Sequence, residues 1–240
     1  MNIRKIGLWS SAVSLTTFIV YTICFAAIYF VNPPFAWTSQ SDFIAYVTSN
    51  PQIFKYIAMT LMIVFSVSFV IQLECLRETV CEAKQFLARI AAHFALGFSV
   101  LTGVNYFVQI SAVRLQLAAG QVEGIGQFVQ SNPNSFISAV NLLGWTVFFG
   151  IACVLASLAM GKGRGERVAK YALMADGVMM LVSSVAYIFG YTVLQALFMF
   201  AGLGAATMVG SAAMCVWFRS QPSGGGTVNS KRDACIERPI

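Results

Sequence analysis

Charge is scarce in this chain of 240 residues. Only 10% of it is Asp, Glu, Lys or Arg, where a soluble globular domain carries about a quarter. That scarcity excludes an ordinary water-soluble surface. Histidine is scarcer still: a single one, His93, rules out a multi-histidine metal centre, and no cysteine pair has the spacing of a zinc site. Also missing are the G-x-S-x-G elbow, the H-E-x-x-H pair and the phosphate-binding loop, since Gly161-Lys162 stands without that loop's leading glycine. These absences leave no metal and no cofactor to expect, and they argue against an enzyme. The net charge of +6 is scattered over short connections and forms no basic stripe with stacking aromatics, so no nucleic-acid partner is expected.

What the chain does have is apolar length, with 58% of its residues hydrophobic. Six stretches are long enough to cross a hydrocarbon core of roughly 30 Å at about 1.5 Å per residue. They run over Gly7–Val31, Ile53–Leu73, Phe86–Val113, Phe136–Met160, Val168–Phe189 and Thr192–Phe218. In lipid every backbone N–H and C=O must be paired within the segment, so each stretch must be a helix. The fold class is therefore all-α, a polytopic bundle of six transmembrane helices over residues 1–218 with the lipid bilayer as its first partner.

Orientation follows from the basic residues. Arg4 and Lys5 precede the first span, and Arg77, Lys84 and Arg89 flank the second connection. Lys162, Arg164, Arg167 and Lys170 crowd the fourth, and Arg219, Lys231, Arg232 and Arg238 follow the last span. Only Lys55 and Arg114 fall on the other side. Positive residues mark the cytoplasmic side, where they also meet anionic headgroups, so both termini are cytoplasmic and the opposite face is the outer one. The first apolar region is too long for a cleaved signal peptide and no A-x-A pattern follows it, which predicts an uncleaved signal anchor. Cys75, Cys81, Cys215 and Cys235 map to the reducing side, and Cys24 and Cys153 lie within spans. Free thiols are expected, with palmitoylation of Cys75, Cys81 or Cys215 as the alternative. Residues 219–240 open on Gln221-Pro222-Ser223-Gly224-Gly225-Gly226 and predict a disordered cytoplasmic tail.

The outer connections repeat a pattern. Tyr46-Val47-Thr48-Ser49-Asn50-Pro51-Gln52-Ile53-Phe54 returns as Phe128-Val129-Gln130-Ser131-Asn132-Pro133-Asn134-Ser135-Phe136, both aromatic-Val-x-Ser-Asn-Pro-x-x-Phe. Asn followed by Pro predicts a helix start, with Asn as the cap and Pro in the first turn. Two readings stand, unrelated caps or a parallel internal repeat of helix, outer loop and helix over about 7–76 and 86–160, followed by a loopless hairpin over 168–218. Phe43, Ile44 and Val47 in the first loop, and Val122, Ile125, Phe128 and Val129 in the second, predict short amphipathic helices. These either anchor in the outer interface or form a lid over the bundle.

Asn50-Pro51-Gln52-Ile53-Phe54, led by an outer-loop helix, resembles the helix start of a set of uncharacterised bacterial six-span membrane proteins. The likeness covers roughly the first two thirds of the chain. It implies a six-span fold in a bacterial inner membrane and supplies no functional residues.

Polar groups inside a span are expensive and so mark the places where chemistry could sit. Asn105 and Gln109 share a face of the third span, and Asn105 and Asn141 lie at similar depth, about 9–10 Å from the outer ends. They either join the two helices or line an outward pocket with Tyr106 and Arg114 near its mouth. Toward the cytoplasm, Asp176 lies about 9 Å beyond Lys170 and begins a stripe with Ser183 and Tyr187. It could hold a cation or proton, pair with His93, or bond to Lys170, Tyr171 or a partner helix. Ser10, Ser14, Thr17 and Tyr21 stripe the first span. Gly202, Ala206 and Gly210, flanked by Gln195 and Ala213, form a small-residue face suited to close helix packing, in the bundle interior, a homo-oligomer or a membrane partner. Glu74, Glu78 and Glu82 with Arg77 read as a solvated helix end, or less simply as a divalent-ion site. These features rank a small-solute or ion permease or ligand-binding membrane protein first and an accessory or sensory subunit second. An enzyme needing Asp176, His93 and Glu74 together comes last.

Overall fold

A computed structural model describes residues 2–161 and 163–221. Lys162, Lys231, Arg232, Arg238, Cys235 and the rest of the expected tail from Pro222 onward lie outside the described residues.

Six helices are long and apolar enough to span a membrane: Ile3–Val31, Ile53–Thr79, Glu82–Ala118, Phe136–Ala159, Glu166–Ile188 and Thr192–Ser220. They are called spans one to six. The protein is a multi-pass membrane protein of the predicted all-α class. Each helix stops for a local reason. Span one ends at Asn32, whose N–H still bonds Ile28, because Pro33 and Pro34 cannot continue the ladder. Spans two and three are separated only by Val80 and Cys81. Spans five and six turn at Gly190, which takes φ of 75° while Tyr191 N–H reaches back to the Ala186 carbonyl at 2.8 Å. That left-handed conformation is one glycine adopts without a Cβ penalty.

The spans close a ring in chain order, each packed on its neighbours, with span six returning to span one. The closure is specific. A Cβ on Gly7 would overlap the Phe218 ring, at 2.4 Å from Cε1, and Arg4 donates through Nε to the Phe218 carbonyl at 3.1 Å and through a second nitrogen to that of Arg219. A guanidinium on the last free carbonyls of a helix satisfies them and complements the dipole. Spans four and five approach backbone to backbone, since a Cβ on Gly177 would sit 2.6 Å from the Gly150 carbonyl oxygen. The centre of the ring is filled, not open. Phe65, Phe69, Phe98, Trp145 and Phe149 form one aromatic cluster, with Phe98 and Trp145 centroids 4.7 Å apart and Phe69 and Phe149 4.9 Å apart. Edge and tilted contacts of this kind suit the ring quadrupoles.

The outer loops dock on each other. The first contains the predicted amphipathic helix, Gln40–Ser49, capped by Ser39. The second forms only a single tight turn, Ile125–Gln127, where a helix was expected, because Gly124 at φ of 71° and Gly126 interrupt it. Phe43, Val113, Ile125 and Val129 make a small apolar core of their own above the outer end of span three. Gln40 fastens it, with Nε2 donating to the Val122 carbonyl at 2.6 Å and Oε1 accepting from Gly126 N–H at 3.2 Å. Lys55 bridges the loops too, 3.4 Å from Ser131 Oγ and 5.6 Å over the Phe43 ring. The loops therefore form a cap on the bundle.

The Asn-Pro prediction is corrected. The helices begin later, at Ile53 after Gln52 and at Phe136 with Ser135 as the cap, whose Oγ accepts from Ser138 N–H at 3.2 Å. Asn50 bonds back to the Tyr46 carbonyl and Asn132 to that of Gly126, so both asparagines close the loop they end. A side-chain amide can satisfy a carbonyl behind it as readily as an N–H ahead. The last helix also continues through Arg219 and Ser220, which were assigned to the tail.

Candidate functional site

Asp176 is the midpoint of the helix Arg164–Ile188, about 18 Å from either end at the helical rise. It is 2% exposed. Thr207 Oγ1 of span six donates to its Oδ2 at 2.7 Å, while Oδ1 has no hydrogen-bond partner among the described residues. No cation pairs with it among those residues.

Asp176 lines a cavity of about 10 Å³, room for a single water-sized particle. Gln72 of span two and Thr207 and Ser211 of span six line it as well, and Phe65, Phe69 and Phe149 wall it off toward the aromatic cluster. Gln72 is also 2% exposed, and its Oε1 has no partner among the described residues. Two buried acceptors without donors thus border one small space.

The backbone of span six adapts to the site. Phe200–Ala206 winds as a π-helix, so that Thr207 N–H bonds the Gly202 carbonyl, which also accepts from Thr207 Oγ1 at 3.2 Å. Such wide turns recur at functional positions because they re-aim side chains and free carbonyls. Gly202 lets span six approach span five closely. A Cβ there would lie 2.5 Å from Met180 Cε and 3.2 Å from Asp176 Oδ1. The small-residue face of Gly202, Ala206 and Gly210 therefore packs on span five inside the bundle, with Gly210 beside Ala172 and Leu173.

The rest of the predicted stripe does not continue the site. Ser183 Oγ donates to the Gln195 carbonyl at 3.0 Å, and Tyr187 Oη lies 3.4 Å from that of Pro133 in the outer cap. His93 is exposed on span three and forms no bond with Asp176, so of the alternatives for that carboxylate the pairing with His93 is not formed. Ser14 bonds Ser68 of span two at 2.8 Å, and Ser10 and Thr17 turn back on their own helix. Glu74 and Glu78 flank Arg77 at 3.0 and 2.8 Å, while Glu82 belongs to the next helix.

The outer polar residues do meet. Asn105 Nδ2 donates to Asn141 Oδ1 at 3.0 Å and lies 3.2 Å from Gln130 Oε1. Gln109 holds the second loop at both ends of its amide, donating to the Phe128 carbonyl at 2.6 Å and accepting from Gln130 N–H at 3.0 Å. Below them Trp145 donates to Tyr106 Oη at 3.2 Å. Arg114 is exposed and bonds the Ile110 carbonyl of its own helix. Such bonds fasten the cap to spans three and four. Asn141, Trp145 and Phe149 follow one another along span four, so the aromatic layer separates this cluster from the Asp176 cavity and the two are not parts of one open path.

Sequence reading missed Gln72, Thr207 and Ser211. The spacing of Thr207 and Ser211, four apart on one face, was a usable signal. Gln72 was hidden by ending span two at Leu73, which put it at the membrane edge; the helix runs on to Thr79. No family model, curated protein or solved structure matches the chain, and the site is read from its geometry alone.

Proposed function

We propose that this membrane protein binds a proton or a small cation at Asp176, and that this bound charge serves a small-solute or ion permease of a bacterial inner membrane. The observation that carries the reading is the pair of buried, unpartnered acceptors, Asp176 Oδ1 and Gln72 Oε1, on residues lining one cavity in the middle of the bundle. A bare carboxylate in low dielectric is strongly disfavoured unless a proton or cation neutralises it. The bacterial location rests on the resemblance of the Asn-Pro-x-x-Phe segments. The test is thermal unfolding of the purified protein in lipid nanodiscs across pH and salt. A midpoint that depends on either, and loses that dependence in Asp176→Asn, supports the reading; identical responses of wild type and variant would sink it.

One observation favours a second reading, an accessory subunit. Trp9, 70% exposed, and Val13 on span one form an apolar groove with Val64, Val67 and Ile71 of span two, and its volume of about 540 Å³ suits a neighbouring helix. Native mass spectrometry after gentle extraction distinguishes the two. A protein at fixed stoichiometry carries this second reading, and a lone chain removes it.

A further inference from the structure

We infer that the particle held between Gln72, Asp176, Thr207 and Ser211 is a dehydrated monovalent cation of about the size of sodium, and not a proton. The inference rests on the proposed reading of Asp176 as a neutralised acid, and it names the ion.

A proton needs a single acceptor and no volume. The site offers more than that. It has a cavity of about 10 Å³, enough for one water-sized particle, and donors on separate helices around it. The donors are a carboxylate, an amide carbonyl and two hydroxyls, an all-oxygen set suited to hard cations rather than to zinc, copper or iron. Gln72 is the telling member. Its Oε1 is acceptor-only, buried and without a hydrogen-bond partner among the described residues, on a residue that lines the cavity. Thr207 already donates to Asp176 Oδ2, which leaves its oxygen lone pairs available to an ion.

Charge sets the valence. Among the described residues Asp176 is the only carboxylate lining the cavity, and one negative charge balances one positive charge. Calcium sites draw on more carboxylates, and magnesium keeps several waters for which this cavity has no room. Cys153 of span four is buried, and Thr207 and Ser211 from span six and Gln72 from span two carry no charge.

The experiment is thermal unfolding of the full chain in nanodiscs, at constant ionic strength, in sodium, potassium and choline chloride at two pH values. Sodium at a hundredfold excess over its Kd raises the midpoint by about 5–10 °C relative to choline. Asp176→Asn abolishes the rise, and Gln72→Leu and Ser211→Ala each weaken sodium affinity by about tenfold or more. Midpoints in choline establish that each variant folds, and Ser211→Ala removes one oxygen without altering helix packing or charge. Equal midpoints in sodium and choline, with an Asp176-dependent response to pH, overturn the sodium assignment and leave the proposed function standing with a proton. An absence of any Asp176-dependent response to salt or pH overturns both.

Discussion

Thr207 Oγ1 and Asp176 Oδ2 are 2.7 Å apart across spans six and five, and that hydrogen bond is the only one the carboxyl group, 2% exposed, makes among the described residues. It couples the π-helical turn of span six to the carboxyl group of span five, because the Gly202 carbonyl that closes this turn accepts from both the N–H and the hydroxyl of Thr207. Removing the hydroxyl while keeping the shape isolates its effect. Thr207→Val should lower stability by about 1–3 kcal/mol, the cost of leaving a buried polar group unpaired. Thr207→Ser should restore most of it. Unfolding midpoints of the three proteins decide the matter, and equal values for Val and Thr would show that the bond contributes nothing.

Glycine contacts offer a second test. Gly177→Ala places a Cβ 2.6 Å from the Gly150 carbonyl, a backbone atom that cannot swing aside. Overpacking of this kind costs about 1–3 kcal/mol. Gly204→Ala in span six meets nothing within 4 Å and should be neutral or slightly stabilising in a helix. A Gly177→Ala protein as stable as wild type would mean that spans four and five do not pack as closely as described.

Asn105 and Asn141 should behave as helix glue. A double-mutant cycle of Asn105→Leu and Asn141→Leu should give a coupling of roughly 0.6 kcal/mol and no more than about 1.7 kcal/mol, the range found for bonds between membrane helices. Sodium affinity should be unchanged in both variants, since the aromatic layer of Trp145 and Phe149 lies between them and the cavity. A loss of sodium affinity in Asn141→Leu would join the two regions into one pathway.

The outer cap should respond to acid on its own. Hydrogen bonds to the Asp42 carboxylate from Thr38 Oγ1 at 2.6 Å and Ser39 Oγ at 2.7 Å hold its pKa below the ordinary carboxyl value. A folded-state pKa below the unfolded one means that the stabilisation is complete above the ordinary value of about 4 and disappears as pH falls through the lowered one. Amide exchange in Gln40–Ser49 should therefore be pH-independent in its protection above about pH 5 and lose protection at lower pH, after correction for intrinsic rates. Asp42→Asn should show the weaker protection at every pH. The same acid profile in wild type and variant would assign the effect elsewhere.

How far the sequence reaches can be judged residue by residue. Six apolar runs long enough to cross a bilayer leave helix as the only backbone solution, so the class and the number of spans were legible before any coordinates. The meeting of Asn105 with Asn141 was legible too, because depth along a helix is a simple count of residues. The Asn-Pro helix starts were misread for a local reason: Asn50 and Asn132 donate to carbonyls behind them, and the N–H that Asn132 also accepts, from Asn134 at 3.1 Å, belongs to the loop and not to a helix.

Rotation of each helix about its axis is what no single segment encodes. Whether His93 faces the bundle or the outside, and whether Gly202 meets span five or another copy of the chain, depends on which neighbours enclose the helix. Ring closure by Arg4 and Gly7 against Phe218, far apart in the chain, decides that arrangement. It is also what brings Gln72, Asp176, Thr207 and Ser211 to one cavity. The sequence by itself determined a six-span membrane helix bundle, because local hydrophobicity and backbone pairing in lipid act along the chain. Only the tertiary structure decided where its unpaired oxygens converge, because that depends on side-chain packing between helices distant in sequence.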